Sequence, residues 1–142
     1  MHYLDTSFVV AAFTPEVRTD DAQVWLETQP ADLLCISKWV ITEIASALAM
    51  KVRMGTLSLE DRVGVMKEWN SFSGANVAIF EIAQEDFHTA ASFAERHPLN
   101  LRAGDALHLA IARRTGSTLM TLDRRMADAA REVGVIVGAI AI

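Results

Sequence analysis

Met1-His2-Tyr3-Leu4-Asp5 and Thr118-Leu119-Met120-Thr121-Leu122-Asp123 are two short apolar runs near opposite ends of the chain, and each closes on an aspartate. The residues between them carry mostly helical patterning. Strands that alternate with helices make a parallel sheet covered on both faces. Right-handed crossovers then give a three-layer α/β/α sandwich. In such sheets ligands bind outside the carboxyl ends of the strands, where the strand order reverses. We therefore expect Asp5 and Asp123 to flank that point.

The rest of the chain fits this frame. Residues 32–36 (DLLCI) and 76–82 (NVAIFEI) read as further strands, and 135–138 (VIVG) as a short last one. The central parallel sheet should thus have about five short strands. Ser37 is placed to cap a helix that Gly55 stops. Val40, Ile44, Leu48 and Val52 form its inward stripe. Ser58 and Asp61 resemble a capping box for the next helix, which should turn Val63, Met66 and Trp69 inward. Helices are also expected over 18–28, 84–97, 103–115 and 124–133. The three tryptophans, Trp25, Trp39 and Trp69, lie on apolar helical faces and read as core or interface residues. Met50, Met54 and Met66 read as core or as a groove for a partner.

With 142 residues, 51% of them hydrophobic and 22% charged, the chain is expected to form a single domain over 1–142 with a core of its own. Its single cysteine, Cys35, excludes an internal disulfide and a multi-cysteine zinc site. No leader is visible, and no apolar run approaches the ~20 residues of a membrane span. A cytoplasmic protein with no membrane contact is the expectation. The net charge of −5 argues against a general electrostatic grip on nucleic acid. That objection weakens if the acids gather around divalent cations.

Two further acids stand in apolar helices. Glu43 borders the Val40–Leu48 stripe, and a carboxylate turned toward the sheet edge there needs a cation. Asp105 opens a segment that is apolar nearly all round, broken only by His108 on the same side. Each acid also has an ordinary reading. Asp5 and Asp123 are good N-caps, Glu43 is a boundary glutamate, and Asp105 favours a helix dipole. Taken together, four acids make an oxygen-only set suited to Mg2+ or Mn2+. Ser7 and Thr121 are candidates to support the acids through hydrogen bonds. His108 reads first as a core residue or as a support of the acids.

The order of these residues resembles the PIN domain, in particular the small stand-alone ribonucleases of the VapC toxin type. Leu4-Asp5-Thr6-Ser7 resembles the family's opening D-[ST]-[SN] motif, and Glu43 stands where the family has a helix glutamate. Ala103-Gly104-Asp105-Ala106-Leu107-His108-Leu109-Ala110 resembles its D-[AC]-x-[IL]-A-x-A helix start, and Thr121-Leu122-Asp123 its [ST]-x-D motif. The likeness spans the whole chain. It implies an endoribonuclease dependent on Mg2+ or Mn2+, with Asp5, Glu43, Asp105 and Asp123 as metal-binding and catalytic residues. It also implies an RNA substrate, a small VapB-like antitoxin as partner, and a homodimer. A phosphatase of the haloacid-dehalogenase type would need D-x-D after its first strand, and position 7 is serine. A PIN-type scaffold that only binds RNA or protein is the other reading; such copies typically lose acids, and this chain keeps all four.

Overall fold

The computed structural model describes residues 1–140. Its sheet has four parallel strands: β1 (His2–Leu4), β2 (Leu34–Ser37), β3 (Val77–Phe80) and β4 (Thr118–Met120). They lie in the order β3-β2-β1-β4. His2 pairs with Leu34 on one side and Thr118 on the other, and Leu4 pairs with Met120. The chain builds outward from β1 through β2 to β3, then returns to the far side of β1 for β4. The reversal of order therefore falls between β1 and β4, as the two Asp-ended runs predicted.

Among the described residues seven α-helices cover the sheet: α1 (Thr6–Phe13), α2 (Thr19–Thr28), α3 (Lys38–Arg53), α4 (Leu59–Asn76), α5 (Gln84–Ala94), α6 (Ala103–Thr115) and α7 (Arg124–Glu132). Tyr3, Leu4, Leu34, Ile36, Leu119 and Met120 are fully buried between the helical layers. α6 buries every residue from Ala106 to Ala112, which explains its nearly continuous apolar sequence. Val40, Ile44 and Leu48 of α3 are buried as the i+4 stripe requires. Gly55 and Gly116 end α3 and α6 with positive φ, the backbone state that favours glycine. Among the described residues no helix is long and apolar enough to cross a membrane.

Four sequence expectations are corrected. The expected fifth strand at 135–138 is a single parallel bridge, Leu119 to Val137. β4 has only three residues, and its other backbone groups face β1. Leu119 alone turns its N–H and C=O outward, to Ile136 and Gly138 at 2.8 Å each. Val63 of α4 is 69% exposed. α4 meets the core from Val65 and Met66 onward, and its Trp69 and Phe72 pack on Phe13 with ring centroids 5.3 and 5.5 Å away. Ser37 occupies the position before α3 but makes no side-chain cap; its hydroxyl is used elsewhere. Met50 and Met54 are exposed rather than core. Trp25, by contrast, packs edge-on against Phe8 at 5.3 Å.

α6 is tied to its neighbour by a charge. Asp86, at the start of α5, is 1% exposed. It accepts two bonds from the Arg114 guanidinium, at 2.7 and 2.8 Å, and one from the Ala83 amide at 2.8 Å. Arg114 also donates to the Glu81 carbonyl just after β3. Removing the arginine strands a buried carboxylate. Arg114→Ala should cost about 1–3 kcal/mol in urea unfolding. An Asp86→Ala/Arg114→Ala double variant should lose less than the sum of the two single variants; additivity would show that the pair does not fasten the helices.

Candidate active site at the carboxyl edge of the sheet

Asp5 stands one residue past β1. Its N–H donates to the Met120 carbonyl at 3.1 Å, which carries the β1–β4 ladder one step further and sets Asp5 beside Thr121. The carboxylate caps α1: Oδ1 accepts from the Phe8 amide at 2.9 Å and from the Ser7 hydroxyl at 2.8 Å. Oδ2 accepts from the Thr121 hydroxyl at 2.5 Å. The two hydroxyls accept in turn from the amides of Leu122 and Asp123, at 3.1 Å each. Both hydroxyl protons point at Asp5, so the 3.3 Å approach of Ser7 to Thr121 is a contact and not a donation. Burial pushes the Asp5 carboxyl above its ordinary pKa, against the pull of His108 and these donors.

Glu43 comes from the middle of α3. Its Oε1 accepts from the Thr6 hydroxyl at 2.8 Å and from His108 Nε2. His108 is 2% exposed, and its Nδ1 meets the Tyr3 hydroxyl at 2.8 Å. That hydroxyl lies 2.8 Å from Ser37 Oγ. With a neutral imidazole the chain has one consistent direction. Ser37 donates to Tyr3, Tyr3 to His108 Nδ1, and His108 Nε2–H to Glu43. Burial pushes Glu43 up, but the hydrogen bonds from His108 and Thr6 outweigh it and leave the carboxyl below its ordinary pKa. Burial also pushes the Tyr3 phenol far up, so it stays a neutral donor.

Glu43 Oε2 faces the start of α6. A Cβ on Gly104 would stand 3.1 Å from it and 3.2 Å from Trp39 Nε1. Glycine at 104 is therefore a matter of space. The Trp39 N–H is buried there without a partner.

Asp105 lies in the first turn of α6, half-buried. Burial pushes its carboxyl above its ordinary pKa, and the negative charges of Asp123 and Glu43 add to that push. The Arg102 backbone and His108 offset only part of it. Asp123 caps α7, with Oδ1 accepting from the amides of Arg125 at 2.9 Å and Met126 at 3.2 Å. Capping and membership of the acid edge are thus compatible for both strand-end aspartates.

The donor set fits a hard divalent cation. All four acids offer carboxylate oxygen, while both nitrogens of His108 are engaged by Tyr3 and Glu43. Among the described residues Glu43 Oε2 has no hydrogen-bond partner, and no side chain donates to Asp105. Nor do any three Asp, Glu, His or Cys side chains among these residues close into a compact metal cage. The arrangement suits an ion that keeps much of its water, as magnesium does. Tyr3, Thr6 and Trp39 escape a reading of the sequence. Tyr3 sits in a strand where core packing suffices to explain it, and Thr6 lies hidden inside the Asp5–Ser7 motif.

The PIN domain family model matches residues 2–132, and the chain belongs to that family. Ribonuclease VapC3 of Pyrobaculum aerophilum is 27% identical over 127 residues, covering 88% of this chain and 91% of its own. Among solved structures, VapC20 of Mycobacterium tuberculosis, described as a sarcin-ricin loop cleaving toxin, superposes with a TM-score of 0.72 at 18% identity. It covers 91% of this chain and 95% of its own. VapBC2 of Rickettsia felis, solved on a DNA fragment from its promoter, gives 0.67 at 17% identity, with 97% of this chain and 98% of that one covered. These two likenesses concern the fold.

The raised pKa of Asp105 has a stability consequence. Its folded pKa lies above the unfolded value, so the folded state holds the proton more tightly. Stability is then lost as pH rises from the ordinary carboxylate pKa through the folded one. Metal-free Asp105→Asn should accordingly melt higher than wild type at pH 7, with the difference shrinking in acid. An equal or lower melting point for the variant at neutral pH would show that the acid edge carries no repulsion.

Proposed function

We propose that this chain is an endoribonuclease dependent on Mg2+ or Mn2+ that acts as the toxin of a toxin–antitoxin pair. The observation that carries the reading is the acid edge itself. Four carboxylates from four separate segments face one end of the sheet, and Asp105 feels the charge of two of the others. The ribonuclease name of the Pyrobaculum relative supplies the reaction class. A toxin–antitoxin complex from Klebsiella pneumoniae among the structural neighbours supports a small antitoxin protein as the partner.

In this reading Asp5, Glu43, Asp105 and Asp123 hold the divalent ion, directly or through water. Bound there, it supplies Lewis-acid polarisation of the scissile phosphate and activation of a water. The protein's own part is orientation. Ser7, Thr121 and the Phe8 amide fix the Asp5 carboxylate from both sides, so it does not rotate when the site empties. His108 and Thr6 hold Glu43 by Oε1 and leave Oε2 turned to the edge. Tyr3 sets the imidazole tautomer that makes this possible. RNA is the proposed substrate, a homodimer the proposed assembly, and one domain in the cytoplasm the proposed setting.

Cleavage of a pooled RNA library tests this. Wild-type protein should cut with Mg2+ and stop cutting in EDTA, and Asp5→Asn and Asp105→Asn should lose nearly all activity. Thr121→Val keeps the shape and removes one donor to Asp5; it should cost about 10–100-fold in cleavage or in Mn2+ affinity. Activity that survives both chelation and the two Asp variants would overturn the mechanism.

A further inference from the structure

The acid edge raises a difficulty that the rest of the surface must answer. The chain carries a net charge of −5, and the candidate site adds a local concentration of carboxylates. A strand of phosphates cannot settle against that edge unless neighbouring phosphates meet cations.

A cavity of about 610 Å3 opens beside it, with Thr121 and Asp123 in its wall. Arg18, Arg124 and Arg131 line the same cavity. Arg124 and Arg131 stand on α7, which Asp123 begins, and Arg18 precedes α2. The amides at the start of α7 are already taken by Asp123, so the donors free to meet an anion are guanidinium groups. Arg124 makes no ion pair among the described residues. Arg18 pairs with Asp21 at 2.7 Å and Arg131 with Asp128 at 2.9 Å. Both are i,i+3 pairs with solvent access, which hold an arginine only weakly. A guanidinium released from such a pair meets a phosphate through two parallel hydrogen bonds.

We propose that this cavity is a phosphate subsite: Arg124, with Arg18 and Arg131, holds the backbone of the substrate strand beside the bond cut at the acid edge. The inference rests on the ribonuclease reading for the identity of the strand. The charge and the cavity are independent of it. The subsite works by position. A phosphate held against Arg124 keeps the next stretch of the strand over Asp123 and Asp105 despite their repulsion.

The test is the binding of a short fluorescein-labelled oligouridylate to the full chain in EDTA, which removes cleavage from the readout. Arg124→Ala and the triple variant Arg18→Ala/Arg124→Ala/Arg131→Ala are compared with Lys67→Ala, an exposed cation on α4. The single variant should weaken binding several-fold and the triple about tenfold or more. The salt dependence decides the mechanism: log K against log salt should flatten by about 0.7 per arginine removed, so by roughly 2 in the triple variant. Lys67→Ala should change neither quantity. Wild-type affinity and slope in the triple variant would overturn the subsite, as would an equal loss in Lys67→Ala. Equal competition by polyglutamate at matched charge would also overturn it, since the cavity would then favour acidic peptide as readily as phosphate. Cleavage with Mg2+ is scored separately. A wild type that binds through these arginines but leaves RNA intact keeps the subsite and removes the ribonuclease reading.

Discussion

A carboxylate with 2% exposure must be held by donors or lose its charge. Asp5 is held because β1 and β4 lie side by side. One backbone bond, from the Asp5 amide to the Met120 carbonyl, brings residue 5 level with residue 121. From that register follow the Thr121 hydroxyl on Oδ2, the Ser7 hydroxyl on Oδ1 and the amides of Leu122 and Asp123 on those hydroxyls. α1 starts from the carboxylate, and α7 starts three residues beyond Thr121, after its cap Asp123. The two helix starts and the candidate site are therefore one arrangement. A shift of one residue in the pairing would turn every side chain of β4 to the opposite face.

A second network fixes the other half. Ser37 ends β2, Tyr3 lies in β1, His108 in α6 and Glu43 in α3, so one line of hydrogen bonds ties two strands to α6 and α3. Buried polar chains of this kind are stable only when every member is satisfied. Here each hydroxyl and ring nitrogen has its partner, and the free valence emerges at Glu43 Oε2. The unpaired Trp39 N–H and the tight approach of Gly104 lie at that same oxygen. The sheet edge is thus rigid beneath the acids and open above them.

Much of this was legible in the residues. Two runs ending on Asp5 and Asp123 placed the strand reversal, because apolar runs bounded by helices leave few other topologies. The Val40–Leu48 stripe oriented α3, and the apolar surroundings of Asp105 marked it as unusual. What escaped depended on contacts between distant segments. Tyr3 packs in the core like any aromatic, and only the fold reveals that its hydroxyl meets His108. Ser37 has the sequence position of a cap, but the nearer donor–acceptor partner across the sheet takes its hydroxyl. Residues 135–138 have strand composition, yet β4 is too short to pair with more than a bridge. Val63 fits a helical stripe on paper, but the exposed first turn of α4 lies outside the core, which its apolar side chains meet only from Val65 onward.

The central claim is that the four acids form a binding site for a divalent ion at the carboxyl edge of the sheet. Crystals of the full chain grown with Mn2+, with anomalous differences measured at the manganese edge, test it most directly. The account predicts a peak within coordination or single-water distance of Asp105 and at least one of Asp5, Glu43 and Asp123. A manganese peak only elsewhere on the protein, or none at the edge at saturating Mn2+, would contradict it.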